Sequence, residues 1–152
     1  MIRLTEEAHQ TFLAYMRHTP EDKRTWSVLG VGRTPLALMQ EIAMAPTWAI
    51  EMLAARACME YDEQRMAADA ALMGSWDTFD KCEAVLRENL DRFYELVRTF
   101  PQDELGLEIR LTFANDLPQS MADLMSFPYW NTTYHLGQLA FIQTLYGDKA
   151  MY

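Results

Sequence analysis

The chain has 152 residues, half of them hydrophobic, and a formal net charge of −9. This length is typical of one domain, and the apolar fraction suffices for one core without disulfides or a structural metal. The negative charge disfavours nucleic acid and anionic membranes as partners, because their phosphates would be repelled. No apolar run spans a bilayer and the N-terminus lacks a signal-peptide core, so we expect one cytoplasmic domain over residues 1–152.

Two helices and an intervening loop are predicted in the first half of the chain. Helix 1 covers about Thr5 to His18, with Thr5 as its cap. Residues 21–34 are predicted as a loop because glycines interrupt them. Thr34-Pro35 begins helix 2, since proline suits the first helical position. Pro46 lies inside helix 2 and should kink it, and helical character resumes from Cys58 toward Gly74.

The third helix has the clearest pattern. Asp77 caps it, Pro101 ends it, and apolar residues recur between them at steps of three and four. The next segment, Leu107 to Phe113, alternates strictly between apolar and polar residues, which predicts a strand. A lone strand leaves its backbone groups unpaired. It must therefore pair with a loop or a second subunit, or pack on the helices as an extended stretch.

The last helix begins near Ser120, where Ser120 and Asp123 are spaced as a capping box. Pro128 predicts a bend or a fresh start, and the main body runs to Tyr146, with Gly147 after its end. One stripe carries large apolar residues around a glycine that would let a neighbouring helix approach: Trp130, Tyr134, Gly137, Phe141 and Leu145. Four amphipathic helices of this length predict an all-α four-helix bundle.

Few side chains are candidates for chemistry. His9 and His18 are expected at the surface of helix 1, where isolated histidines rarely act. His135 and Asn131 share a face of the last helix next to the core, where polar groups must be paired or bind something. From spacing alone, His135 is either a core histidine whose hydrogen bonds are satisfied or a ligand or catalytic group. Glu41 is either a carboxylate that reaches solvent or a site residue. No nucleophile motif is present, so no catalytic residue is assigned.

Two segments carry a family resemblance. The last helix contains YWNTTYHLGQ at 129–138 and IQTLYGD at 142–148, and helix 2 contains Thr34-Pro35-Leu36 and Glu41-Ile42-Ala43. These segments resemble the DinB-like superfamily over nearly the whole chain. The resemblance implies a four-helix bundle of DinB-like type with a short extended insertion before the last helix. It also implies a divalent metal held by three histidines, thiol-dependent chemistry and frequent dimers.

Two of the three implied metal positions differ in this chain. Glu41 stands where the helix 2 histidine is expected, Asn131 stands at the first position of the last-helix pair, and His135 is kept. The implied ligand set is therefore Glu41, Asn131 and His135, for nickel, zinc or manganese. An amide oxygen is a weak ligand for zinc or nickel, so affinity should fall. A metal-free alternative is equally coherent, in which Glu41 accepts a hydrogen bond from His135 and Asn131 completes the network.

Two functions stay open on these residues. The first is a divalent-metal-binding protein that acts as a metal-dependent thiol transferase or hydrolase. The second is a non-catalytic bundle with a degenerate metal site, which binds a small molecule or serves as a dimeric interaction module. We expect a homodimer, a small-molecule ligand, and neither nucleic acid nor membrane as a partner.

Overall fold

The computed structural model describes all 152 residues as a predominantly helical chain with one small sheet. The helices are α1 (Ile2–His18), α2 (Glu21–Arg24), α3 (Pro35–Ala55), α4 (Glu63–Gly74), α5 (Phe79–Thr99) and α6 (Met121–Leu145), and the strands are β1 (Glu108–Leu111) and β2 (Leu117–Ser120). No helix carries an apolar stretch of the length that crossing a bilayer requires.

The four long helices, α1, α3, α5 and α6, surround one hydrophobic core. α3 contacts both α5 and α6, and α1 contacts α6 and α5, so each long helix has two long neighbours. Burying one large apolar side chain stabilises the fold by about 1.5–3 kcal/mol, so this core dominates stability. All four helices contribute fully buried large side chains, among them Phe12, Met16, Leu38, Ile42, Leu86, Phe93, Leu124 and Leu139.

α3 starts as predicted and passes through its proline. The hydroxyl of Thr34 accepts a hydrogen bond from the amide of Ala37 at 3.1 Å, and Pro35 occupies the first turn. Pro46 offers no N–H to the preceding turn, yet α3 continues to Ala55. Close by, the amide of Asn89 on α5 donates to the carbonyl of Ala43 at 2.9 Å in the protein interior. This contact ties α5 to the proline-containing part of α3.

The predicted helix boundaries differ from the observed ones at four places, and one is the start of α5, which Thr78 rather than Asp77 caps. α1 begins at Ile2 rather than Thr5, and the segment predicted as a loop contains the short helix α2. The helix expected from Cys58 begins only at Glu63. The carboxylate of Asp62 accepts a hydrogen bond from the amide of Arg65 at 2.8 Å, so the cap lies later than the apolar pattern indicated.

The predicted strand finds its partner within the chain. β1 pairs antiparallel with β2, with Glu108 opposite Ser120 and Leu111 opposite Leu117. The connecting loop contains two consecutive residues with left-handed backbone angles, Asn115 (φ 55°) and Asp116 (φ 61°). Asparagine and aspartate tolerate this region better than other side chains, which favours a tight return. β2 was not predicted, because its proline argues against a strand in any position except an edge.

The large apolar stripe of α6 faces outward. Trp130, Tyr134 and Phe141 are 57%, 54% and 62% exposed. The buried face of α6 carries instead Asn131, Thr132, His135, Leu139, Ile142 and Gln143. The expected close approach of a helix at Gly137 is wrong within this chain, because a Cβ there would meet no atom within 4 Å.

The contact between Asn89 and Ala43 makes the first testable prediction. Asn89→Ala leaves a buried carbonyl without its donor, so we expect a loss of about 1–3 kcal/mol in the free energy of unfolding, measured by urea denaturation. Glu88→Ala, at the adjacent exposed position, should change it by less than about 0.5 kcal/mol. Equal effects of the two substitutions would contradict a specific role for the Asn89 amide.

Candidate functional site

Glu41, Asn131 and His135 meet inside the protein. Glu41 comes from α3, and the other two come from the buried face of α6, where they lie one helical turn apart. Nε2 of His135 lies 2.8 Å from Oε1 of Glu41, and Nδ2 of Asn131 donates to the same oxygen at 3.2 Å. Asn131 and His135 are 4% and 1% exposed. The three residues singled out in the sequence therefore form one polar cluster between two long helices.

The orientation of the His135 ring is fixed from both sides. A carboxylate only accepts hydrogen bonds, so Nε2 carries the hydrogen that it shares with Glu41. Nδ1 lies 2.7 Å from Oε1 of Gln138, three residues later on α6. Both ring nitrogens of His135 therefore have hydrogen-bond partners. Gln138 thus positions the ring without touching the carboxylate, a role that its motif position alone did not specify.

Arg33 is a fourth member of the cluster that the sequence did not reveal. Its guanidinium donates to Oε2 of Glu41, the oxygen that His135 and Asn131 leave free. Arg33 lies in the connection before α3, eight residues from Glu41, and no helical periodicity relates the two positions. Both oxygens of Glu41 therefore have hydrogen-bond donors, and the carboxylate has a cationic partner.

These contacts keep Glu41 ionised. Burial by itself raises the pKa of this carboxyl group, because it disfavours the charged form. The hydrogen bond and charge of His135, with the charge and hydrogen bond of Arg33, outweigh burial and lower the pKa from 4.5 to about 2. At neutral pH the cluster therefore presents a negative carboxylate held by three donors.

The cluster suits a divalent metal ion poorly. No group of three or more His, Cys, Asp or Glu side chains in this structure is arranged to share an ion. Only Glu41 and His135 are strong ligands, and the guanidinium of Arg33 already offsets the charge that would attract a cation. One observation favours a bound ion: Oδ1 of Asn131 is buried without a hydrogen-bond partner. The donor set is therefore that of a weak site at most.

Glu41 also lines a cavity. The cavity has a volume of about 210 Å³, and Glu41 is its only charged lining residue; the others are Trp48, Met52, Met59, Tyr61, Met73, Phe113 and Phe127. A second cavity of about 450 Å³ shares Met52, Phe113 and Phe127 with it. The β1–β2 segment supplies part of this second wall through Leu111 and Leu117. The extended insertion thus encloses an apolar space next to the polar cluster.

The prediction that His9 lies at the surface of the first helix is wrong. It is buried rather than exposed, with Nδ1 2.6 Å from the carbonyl of Thr5 and Nε2 3.0 Å from the hydroxyl of Thr132. Burial lowers its pKa to about 4, so the ring is neutral near pH 7. Nδ1 bonds within α1 and Nε2 joins α1 to α6, so both ring nitrogens have partners, which indicates a structural role. His18 lies at the exposed end of α1, as expected.

Comparison of the chain with protein-family models, with curated proteins and with solved structures gives no match.

The low pKa of Glu41 predicts a pH-dependent contribution to stability. A depressed folded-state pKa stabilises the protein above about pH 4.5, and this contribution is lost as the pH falls toward 2. Urea denaturation of the wild type and Glu41→Gln should therefore show a stability difference that shrinks by on the order of 2 kcal/mol between pH 5 and pH 2.5. A difference that stays constant over this range would show that the ionised contact contributes nothing.

Proposed function

We propose that this chain is a DinB-like four-helix-bundle protein that binds a small, largely apolar molecule beside the Glu41–His135 pair. The observation that carries the proposal is the position of Glu41, which accepts hydrogen bonds from His135 and Asn131 and also lines the cavity. Ligand pockets commonly combine apolar walls with a few fixed polar groups, which orient the bound molecule. The DinB-like assignment is supported by the order of the four long helices and by the meeting of positions 41, 131 and 135.

The polar cluster would act as a preorganised anchor. Its hydrogen bonds hold the carboxylate in one orientation before a ligand arrives, so little ordering remains to be done on binding. The side chains around it are four aromatic rings and three methionines. Methionine adapts to irregular shapes, which suits a pocket that closes around a small molecule.

A neutral fluorescent probe tests the pocket. N-phenyl-1-naphthylamine should bind the wild type, and Met73→Phe should weaken its binding because the rigid ring takes up part of the smaller cavity and adapts less than methionine. Met66→Phe is the matched control, since Met66 lies on the same helix with its side chain exposed. Fluorescence titration gives both affinities.

The proposal fails if the probe does not bind, or if Met66→Phe weakens binding as much as Met73→Phe. Elemental analysis of untagged protein prepared without chelator distinguishes the metal-dependent alternative. Nickel, zinc or manganese at one per chain, lost in both Glu41→Ala and His135→Ala, would replace the ligand-anchor role with that of a metal-binding protein and would support thiol-transfer or hydrolytic chemistry.

We infer a second role, self-association, from the exposed face of α6. Asp123 is the only charged residue of this 25-residue helix. A contiguous exposed apolar patch commonly marks an interaction site, and the outer face of α6 has no cover in one chain. Its three exposed rings, Trp130, Tyr134 and Phe141, present roughly 300 Å² per chain, given about 150–250 Å² for one aromatic side chain. This is a substantial part of the roughly 800 Å² per partner of a stable interface.

The spacing along α6 favours a second copy of the chain as the partner. Positions 130 and 145 are equidistant from the midpoint between Gly137 and Gln138, and so are positions 134 and 141. An antiparallel pairing of two α6 helices about this midpoint would set Trp130 against Leu145 of the other copy. It would also set Tyr134 against Phe141, with glycine allowing close approach at the centre. Twofold symmetry requires such a self-complementary patch.

Sedimentation measurements test this association. The wild type should sediment as a dimer of twice 17.6 kDa, and the double substitution Tyr134→Lys with Phe141→Lys should give the 17.6 kDa monomer, because buried like charges would face each other. Leu72→Lys, at an exposed leucine of α4, should leave the dimer intact. A wild type that stays monomeric at 100 μM, a concentration chosen well above the dissociation constant of a roughly micromolar dimer, would exclude this role.

A further inference from the structure

The smaller cavity is lined by an aromatic cage. The ring of Trp48 meets that of Tyr61 edge-on, with centroids 6.2 Å apart and an interplanar angle of 83°. Tyr61 in turn contacts Phe113 at 5.7 Å, and Phe127 completes the set of rings around the cavity. Rings set at steep angles to one another present several π faces and edges to one small space. Such cages recognise alkylated ammonium groups in other proteins.

A hydrogen bond increases the electron density of the tryptophan in this cage. Nε1 of Trp48 donates to Oδ2 of the buried Asp69 at 2.8 Å. A donor that gives its hydrogen to a carboxylate becomes more electron-rich, so the indole face attracts a cation more strongly. Asp69 is held in turn by Arg65, whose Nε donates to Oδ1 at 2.9 Å. The same contacts fix the tryptophan against α4.

The charged residues around the cavity also bear on which class of ligand it would bind. Glu41 is the only ionised residue that lines it, and the arginines that pair with Glu41 and Asp69 do not line it. Burial raises the pKa of Tyr61, and the negative charges of Asp69 and Glu41 add to this effect while the charge of Arg65 opposes it. No cationic side chain lines the cavity, so an anionic ligand would find no partner there.

We propose that the cavity binds the alkylated ammonium group of a small organic cation, held by the faces of Trp48, Tyr61 and Phe113. This inference rests on the proposed ligand-binding function and specifies its ligand class. Glu41 already accepts hydrogen bonds from Arg33, Asn131 and His135, so it has little acceptor capacity left for an N–H donor on the ligand. A fully alkylated ammonium needs no acceptor and interacts through charge and π faces alone.

The adjoining cavity extends the proposal to the rest of the ligand. It is lined mainly by apolar residues, and Met52, Phe113 and Phe127 belong to both spaces. The volume of about 210 Å³ suits a compact head group, being below the roughly 300–1,000 Å³ of sites for drug-sized molecules. A cation with an apolar substituent would therefore place its head in the cage and its substituent in the larger cavity.

A pair of matched probes tests the preference for charge. Choline and 3,3-dimethylbutan-1-ol have nearly the same shape, but carbon replaces the charged nitrogen in the second. Isothermal titration calorimetry on the full chain should give at least tenfold tighter binding of choline. Tyr61→Leu and Phe113→Leu should each reduce this preference at least threefold, because they remove π faces while keeping apolar bulk. Tyr152→Leu, which removes an aromatic ring stacked on His18 outside the cavity, is the control.

These outcomes distinguish the proposed preference for a cation from the broader proposal of a ligand pocket. Equal affinity for the charged and neutral probes, with N-phenyl-1-naphthylamine still bound, would overturn the cation preference and leave the ligand pocket standing. Loss of the preference in Tyr152→Leu as well would also overturn it. If the chain cosediments with phosphatidylcholine vesicles but does not bind free choline, the ligand is the head group of a lipid. That result would contradict the proposal of a free organic cation.

Discussion

The hydrogen bond between Glu41 and His135 joins α3 to α6 at a point where both helices also form the core. A carboxylate in this position is costly unless donors surround it, because burial disfavours its charge. Arg33, Asn131 and His135 supply those donors, and Gln138 holds the imidazole in place. The packing of two long helices, the ionisation of Glu41 and the polar wall of the cavity therefore depend on the same contact.

Much of the helical order could be predicted from the sequence because its signals are local. Thr34-Pro35 begins α3 and the capping box of Ser120 and Asp123 begins α6, as predicted. The second strand and the position of α4 could not be predicted in this way. β2 contains a proline and depends on its partner, and α4 begins where Asp62 captures an amide rather than where an apolar pattern starts.

Part of the candidate site could also be predicted from the sequence. The family resemblance indicated positions 41, 131 and 135, and the structure brings these three side chains together. Arg33 could not be found, because it approaches from a connection with no periodic relation to Glu41. The stripe of α6 illustrates a different limit. Periodicity groups residues on one face of a helix, but it does not say which face is inside when both are apolar. Here Asn131 and His135 face inward, and Trp130 and Phe141 face outward.

The attachment of α4 has a consequence for access to the interior. Asp69 is its only buried residue, and polar contacts tie α4 to α3: Arg65 pairs with Glu51, and Asp69 accepts a hydrogen bond from Trp48. Ion pairs of this kind weaken with salt, whereas apolar packing does not. We therefore expect α4 to separate from α3 at a smaller free energy than any long helix. Since Met73 of α4 forms part of the cavity wall, such a separation would uncover the cavity and provide an ionic-strength-dependent entrance for a guest molecule.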